Sequence, residues 1–165
     1  MTEHQQLDNI DRRILSELQN DGRIRNNELA DRVGLSPPSC RRRVRALRER
    51  RAIKTIRASL DERLLGYEVT SFVTIQLQSQ AQATVQAFES SIAAIPLVIQ
   101  CWRLSGEADF LLKCVALSVE GMRQQLLQFA AMPSVRNIRS LPVLGVAKDE
   151  PLPIPEHPAA SIPAG

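Results

Sequence analysis

The chain has few of the residues on which catalysis depends. Among its 165 residues there are two histidines, His4 and His157, and each lies near one end. The sequence also has no glycine-rich phosphate loop and no His/Cys/Asp/Glu cluster with metal-ligand spacing. Paired acids such as Glu107 and Asp109 fall in predicted exposed turns. The sequence therefore predicts no catalytic residue, no metal and no cofactor, and it argues against an enzyme.

Cysteine is scarce as well. Cys40, Cys101 and Cys114 are odd in number and far apart, which argues against a disulfide framework and a zinc site. We expect all three to be small buried hydrophobic residues in a reducing cytosol. The first six residues lack the layout of a signal peptide, and no apolar run approaches the ~18 residues of a membrane span. These features predict a cytoplasmic protein with no membrane partner.

Charge is distributed unevenly along the chain. The net charge is +3, but residues 1–60 carry 14 Lys and Arg against 8 Asp and Glu, whereas residues 61–165 carry 7 against 10. The N-terminal part is therefore at +6 and the remainder at −3. Such asymmetry predicts that the first part faces nucleic acid and that the second part has another task.

The stretch from residue 35 to residue 48 concentrates this positive charge. Ser36 is a good N-cap, and Pro37 suits the first position of a helix. Cys40, Val44 and Leu47 recur at helical spacing and predict one inward face. The arginines that point elsewhere are Arg41, Arg42, Arg45 and Arg48. Like charges on one helix repel each other, and a nucleic acid would relieve that repulsion. The alternative to nucleic-acid binding is that these arginines form an ordinary solvent-exposed face of a helix.

Two further helices are predicted ahead of this arginine-rich helix. Residues 8–20 have an apolar stripe capped by Asp8, and residues 27–33 form a shorter helix that ends at Gly34. Helix, helix, glycine turn and cationic helix is the order of a helix-turn-helix. Residues 53–60 are β-prone and predict a small wing, with Lys54 and Arg57 outward. Arg43 lies near the buried stripe and either braces the fold or touches phosphate.

In such a motif the recognition helix, here the arginine-rich helix, enters the major groove with its first residues, and flanking cations hold phosphates. Groove contacts are expected near the helix start, and phosphate contacts from Arg48 onward. The candidate DNA-binding residues are Ser36, Pro38, Ser39, Arg41, Arg42, Arg45, Arg48 and Lys54.

After Gly66 the pattern changes to alternating strands and amphipathic helices. The predicted strands cover residues 69–78, 97–104, 110–117 and 135–147, and the predicted helices cover residues 82–94 and 120–132. This βαββαβ order is the ferredoxin-like unit, so the fold class is α+β: an N-terminal winged helix-turn-helix and a C-terminal ferredoxin-like domain.

In that unit two helices cover one face of the sheet and leave the other bare. Apolar residues are expected on both sides of the second strand, with Ile99 and Cys101 on one side and Val98, Trp102 and Leu104 on the other. Self-association that covers the bare face is the simplest explanation for apolar residues on both sides of this strand. A further residue, Pro142, fits an edge strand, where a missing N–H is harmless.

The turn between the second and third strands is the other candidate site. Gly106 permits a tight hairpin, and Glu107 and Asp109 add negative charge. The turn is either a plain polar hairpin or a small-molecule site in which Asp109 receives an ammonium group.

We expect four segments in all: a DNA-binding domain over 1–60, a linker over 61–68, an effector-binding and oligomerisation domain over 69–148, and a disordered proline-rich tail over 149–165.

Several ordered motifs resemble the leucine-responsive regulatory protein (Lrp)/AsnC family of transcription regulators. They are LDNIDRRIL at 7–15, LQNDGR at 18–23, ELA at 28–30, VGLSP at 33–37, RVRAL at 43–47, LSGEADFLLK at 104–113 and VAK at 146–148. The chain departs from the family pattern at Arg51, where members usually have glycine after the recognition helix. It departs again at Leu141-Pro142, where many members carry hydroxyl residues toward the ligand.

The resemblance implies a DNA-binding domain, a linking strand and a ferredoxin-like ligand-binding domain. It further implies homodimers, commonly assembled to octamers, which bind an amino acid or similar molecule near the turn at 106–109. The effector-binding residues it implies are Leu104, Gly106, Glu107, Ala108, Asp109 and Leu141. A pocket lined by Leu141 would favour a less polar ligand.

The sequence thus predicts a sequence-specific regulator that binds double-stranded DNA, responds to an amino-acid effector and works in the cytoplasm at the nucleoid. The alternative is an architectural DNA-binding protein without an effector. A small-molecule enzyme would need a catalytic group, and the sequence offers none.

Overall fold

The computed structural model describes residues 7–155. These residues form two compact units, 7–59 with 149–155, and 60–148. No helix in this part of the chain is long and apolar enough to cross a membrane. The elements are α1 (Asn9–Asn20), α2 (Asn26–Val33), α3 (Pro37–Glu49), β1 (Val69–Leu77), α4 (Gln82–Ala93), β2 (Val98–Arg103), β3 (Phe110–Ala116), α5 (Val119–Ala130) and β4 (Val135–Pro142).

The first unit is the predicted three-helix arrangement. Asp8 caps α1, since its carboxylate accepts the amide of Asp11 at 2.7 Å. Gly34 ends α2 with φ +74°, a left-handed conformation that favours glycine. The turn from α2 into α3 therefore follows directly from the local sequence.

Ser36 occupies the N-cap position of α3, as predicted, but its side chain makes no capping bond to the backbone. Its hydroxyl instead lies 3.0 Å from the hydroxyl of Ser39. A serine cap normally accepts an N–H from the second or third helical residue, and the second residue here is Pro38, which has none.

The first core is small and wholly aliphatic apart from one thiol. Partly buried residues such as Val44 and Ile53 pack around it. Its buried members are Ile14, Leu29, Ala30, Val33, Cys40 and Leu47.

Arg51, two residues beyond the end of α3, has φ +57°. It is the one non-glycine residue with positive φ among residues 7–155. The left-handed turn that glycine usually supplies is therefore kept with an arginine in its place. The chain turns there because Ile53, two residues later, donates its amide to the carbonyl of Leu47 and packs on the first core.

The predicted wing is not formed. Residues 53–60 lie in no helix or strand and are mostly exposed. A strand needs a neighbour for its backbone groups, and the described part of this unit contains no other strand. Of the expected disordered tail, residues 149–155 also have no helix or strand, although Gln19 donates to the carbonyl of Leu152 at 3.0 Å. Residues 156–165, with His157, and residues 1–6, with His4, lie outside the described residues.

The second unit is an antiparallel four-stranded sheet in the order β2-β3-β1-β4, with α4 and α5 packed on one face. This is the ferredoxin-like order, and β4 lies at an edge as predicted. The strand ends at Pro142 rather than at Ala147, since only the amide of Val143 still bonds to β1, at the carbonyl of Thr70. The buried members of its core are Val73, Ile75, Leu77, Val85, Phe88, Ile92, Phe110, Leu112, Cys114, Ala116, Met122, Phe129 and Val135.

A register shift in β2 changes which residues share a face. Val98 pairs with Cys114 and Cys101 pairs with Leu112, so both align with core residues of β3. Strict alternation predicted opposite faces for Val98 and Cys101 and was wrong. The extra residue of the irregularity, Ile99, moves the pattern by one position.

The three cysteines are free. Cys40 and Cys114 are buried as expected, but Cys101 is exposed on the edge strand β2. Burial raises the pKa of Cys40, and burial, with a smaller effect of Cys101, raises the pKa of Cys114 to about 12. Although Cys101 is exposed, the protein around its thiol removes part of its hydration, and this desolvation together with the nearby Glu89 raises its pKa. The thiols are therefore poor nucleophiles. The predicted burial is confirmed for Cys40 and Cys114 and is wrong for Cys101.

Candidate DNA-binding and effector sites

The arginines of α3 divide into two groups with different partners. Arg43 points inward, and its Nη1 lies 2.6 Å from Asp8 Oδ2 and 2.9 Å from Asp11 Oδ1. Asp11 is 7% exposed, and Arg50 Nη1 approaches its other oxygen at 3.8 Å. Of the two roles open for Arg43, bracing the fold is therefore the one that the structure shows. These ion pairs tie the start of α1 to α3.

The carboxylates raise the pKa of Arg43, chiefly through its hydrogen bonds to Asp8 and Asp11. Partial burial alone would raise the pKa of Asp8. The amide of Asp11 and the guanidinium of Arg43 outweigh that effect and hold the pKa below its ordinary value of 3.8. Asp8 and Arg43 are therefore both charged at neutral pH.

The outward group is exposed. Within residues 7–155, the side chains of Arg41, Arg42 and Arg48 make no hydrogen bond or ion pair. Arg45 Nε bonds to Glu49 Oε1 at 2.8 Å, one turn along the helix, and its side chain remains 81% exposed. Arg41, Arg42 and Arg48 can therefore exchange water and counterions for the phosphates and bases of a duplex without losing an internal contact, whereas Arg45 would give up its bond to Glu49.

The start of α3 carries a hollow of about 370 Å³ on the same face. It is lined by Pro37, Pro38, Arg41, Arg42 and Arg45. The structure thus brings together four of the predicted DNA-binding residues. Ser36 and Ser39 flank them, and Arg48 and Lys54 are exposed elsewhere in the unit.

The turn between β2 and β3 is fastened to β1 by hydrogen bonds. Gly106 has φ +136°, which favours glycine. Asp109 closes the hairpin through its backbone, accepting from Leu104 at 2.8 Å and donating to Ile75 at 2.9 Å. Its carboxylate accepts the amide of Leu77 at 2.7 Å and the side-chain amide of Gln80 at 3.1 Å. Asp109 therefore has a structural role, whether or not it also meets an ammonium group.

A polar cavity of about 260 Å³ lies beside this turn. Of the predicted effector residues, Gly106, Glu107 and Asp109 line it. Leu104, Ala108 and Leu141 do not, so Leu141 gives no reason to expect a less polar ligand at this turn. Sequence reasoning missed the remaining lining residues, which are Gln76, Leu77, Gln78, Ser79, Gln80 and Arg136.

Leu141 lies instead on the sheet face opposite the helices, paired with Phe72 of β1. The Phe72 ring is 6.5 Å from that of Trp102, which pairs with Leu111. Trp102 and Leu141 are 41% and 48% exposed. The open face therefore carries an apolar cluster that includes Trp102, as predicted, together with Phe72 and Leu141, which were not predicted there.

Two family models match the chain. The AsnC-type helix-turn-helix domain matches residues 7–48, and the Lrp/AsnC ligand binding domain matches residues 70–153. The chain belongs to the Lrp/AsnC family. The resemblance drawn from the sequence motifs is thereby confirmed, as is the pairing of a helix-turn-helix with an α+β domain.

Curated proteins and solved structures agree with this assignment. The chain is 43% identical to the leucine-responsive regulatory protein of Rhizobium meliloti over 145 residues, which are 87% of this chain and 93% of that protein. It is 38% identical to the transcriptional regulator AzlB of Bacillus subtilis, over 71% and 74% of the two chains. This Lrp/AsnC protein is therefore a transcriptional regulator, and its relatives bear the names of regulators rather than enzymes.

Among solved structures, a transcriptional regulator of Neisseria meningitidis in complex with L-Met superposes with a TM-score of 0.81 at 29% identity, covering 87% of this chain and 94% of that one. An AsnC family transcriptional regulator from Agrobacterium tumefaciens gives 0.80 at 30% identity, covering 88% and 96%.

Proposed function

We propose that this Lrp/AsnC regulator binds specific duplex DNA through α3, and that an amino acid or related small molecule controls it by binding beside the turn at 106–109. The observation that carries the DNA-binding part is the outward face of α3, where three arginines have no partner within residues 7–155. A cationic helix in this position of a helix-turn-helix suits the major groove.

The cavity beside the turn supports the effector part. Glu107 and Asp109 supply negative charge, and Arg136 supplies positive charge, around about 260 Å³ of space. An α-amino acid carries an ammonium and a carboxylate group that match these charges. The structural neighbour from Neisseria meningitidis is itself a complex with L-Met.

We further propose that the regulator is a homodimer that assembles further, commonly to octamers in this family. The support is the open sheet face, where Phe72, Trp102 and Leu141 would stay in water in a single chain. Burying such a patch against a second copy is favourable. Its place of action would be the cytoplasm, at the nucleoid, with residues 61–68 as the linker between its domains.

DNA binding can be tested with a selected operator duplex at fixed salt. Arg42→Ala is expected to weaken specific binding by about 1–3 kcal/mol, because a base contact is lost. Arg123→Ala removes the same charge from α5 and is expected to bind as the parent does. Operator affinity of Arg42→Ala equal to that of the parent would contradict this role.

The effector can be sought by thermal melting against the common amino acids, with the molecular mass followed by light scattering. A ligand that binds only the folded protein raises the melting temperature. Arg136→Ala and Glu107→Ala should lose that rise, while Arg123→Ala keeps it. The role of Asp109 in effector binding is better tested with Asp109→Asn than with Asp109→Ala, because the side-chain amide oxygen of asparagine can still accept the backbone amide of Leu77.

If neither the amino acids nor related small molecules, such as amino-acid amides and keto acids, change the melting temperature, the mass or the DNA affinity, the effector part of the proposal is wrong. The alternative, an architectural DNA-binding protein without an effector, would then be favoured.

A further inference from the structure

The start of α3 offers mainly carbon to whatever lies in front of it. Pro37 and Pro38 hold its first two positions, and both are exposed. Neither has an N–H, so two of the four amide donors that a helix start leaves free are missing. The hydroxyls of Ser36 and Ser39 are within hydrogen-bond distance of each other, at 3.0 Å. This end of the helix is thus poor in hydrogen-bond donors.

The side chains one turn later complete a hollow around the prolines. Its surface is mostly carbon, from the proline rings and the aliphatic stems of the arginines. Arg45 is held by Glu49, but the guanidinium groups of Arg41 and Arg42 have no hydrogen-bond or ion-pair partner in the part of the chain that the structure describes. An apolar floor is therefore bordered by two free cations.

This combination fits one pattern in the major groove. The 5-methyl group of thymine is the apolar group that bases present there, and guanine presents two acceptors that suit arginine. A proline ring has neither a donor nor an acceptor, so it can distinguish bases only by such apolar contact. We propose that Pro38, with Pro37, recognises the methyl group of a thymine beside a guanine that Arg42 binds.

The inference rests on the proposed binding of α3 in the major groove, and it adds which bases are read. Pro38 and Arg42 are four residues apart, which is about 6 Å along a helix. Successive base pairs are about 3.4 Å apart. The thymine and the guanine are therefore expected within about two base pairs of each other.

The test starts from an operator selected by the full-length protein from random duplexes. Each thymine is then replaced singly by deoxyuridine, which removes only the methyl group, and affinity is measured at one salt concentration. At one or two positions the parent should bind about three- to fivefold more weakly, since burying one such carbon is worth about 0.8 kcal/mol.

Pro38→Ser should bind the thymine and deoxyuridine duplexes equally well, because it lacks the apolar ring. Circular dichroism checks that this variant keeps its helices, and Pro38→Gly provides a second variant. Arg42→Ala should lose the preference for guanine and keep the three- to fivefold effect of the methyl group. A double-mutant comparison of this kind isolates one contact.

Two results would overturn the inference while leaving specific DNA binding intact. One is an operator whose every thymine can be replaced without effect, or which has no thymine. The other is a Pro38→Ser variant that retains the full effect of the methyl group. If selection yields no specific site at all, the proposed function itself fails together with this inference.

Discussion

The two units of this chain are stabilised by different means. The core of residues 60–148 contains thirteen buried residues, among them Phe88, Phe110 and Phe129. The core of residues 7–59 has six, none of them aromatic, and is accompanied by the ion pairs of Arg43 with Asp8 and Asp11. The comparison teaches that the DNA-binding unit depends on charge where the sheet unit depends on packing.

The largest effect is expected from the sheet unit. Phe129 is fully buried, so Phe129→Ala should lower the free energy of unfolding by about 3–5 kcal/mol through lost burial and a cavity. Trp102, the single tryptophan, lies in this unit, and its fluorescence during urea unfolding reports the change. The exposed Leu127→Ala on the same helix is the control and should change little. An unchanged transition for Phe129→Ala would contradict the importance of packing here.

In the first unit the largest effect on stability is expected at Arg43. Arg43→Ala leaves the carboxylate of Asp11 buried without its closest partner, which should cost about 2 kcal/mol. The readout is hydrogen–deuterium exchange in α1 and α3, which follows this unit by itself. Arg41→Ala on the same helix has no internal partner to lose and should stay within about 0.5 kcal/mol of the parent. Equal effects of the two variants would remove the distinction between inward and outward arginines.

The end of α3 should respond in the opposite direction. Arg51 has φ +57°, where glycine has no steric penalty, so Arg51→Gly should stabilise the first unit by about 1 kcal/mol. Arg50 is in the right-handed region and its side chain also approaches Asp11, so Arg50→Gly should be destabilising on both counts. A lower melting temperature for Arg51→Gly would show that this side chain has contacts worth more than the strain.

The smallest expected effect is a pH dependence confined to the first unit. The folded pKa of Asp8 is below 3.8, its unfolded value, so its ionisation stabilises the fold above that pH. This contribution is lost as the pH falls through the folded pKa. Asp8→Asn keeps a capping side chain but has no carboxylate to titrate.

Stability of the parent and of Asp8→Asn should therefore differ at pH 6 and converge as the pH is lowered below 3.8. Hydrogen–deuterium exchange of the amides in α1 measures this difference in stability. A constant difference across this range would mean that the charge of Asp8 has no part in the effect.

Local sequence was enough for most of this fold. The cap of α1 at Asp8, the glycine end of α2 and the proline start of α3 each depend on neighbours in the chain, and each was predicted correctly. The wing and the far end of β4 were predicted wrongly, because a β-prone segment becomes a strand only beside a partner. Sequence propensity does not say where that partner is.

The candidate sites show the same limit. The outward arginines of α3 follow from helical spacing alone. The cavity beside Gly106 also needs Gln76 and Arg136, which are sixty residues apart and are brought together by the antiparallel pairing of β1 with β4. The alternating polar residues at the end of β1 were the one available sign of this cavity, and they do not reveal which residues of β4 pair with them.

The division of labour on α3 also bears on how such a regulator can evolve. Arg41, Arg42 and Arg48 make no hydrogen bond or ion pair with residues 7–155, so mutation can replace any of them with little penalty to folding. Arg43 continues to anchor α3 to the start of α1 while the outward arginines change. Gene duplicates of this protein could therefore acquire new target sites one arginine at a time, each intermediate remaining a folded protein.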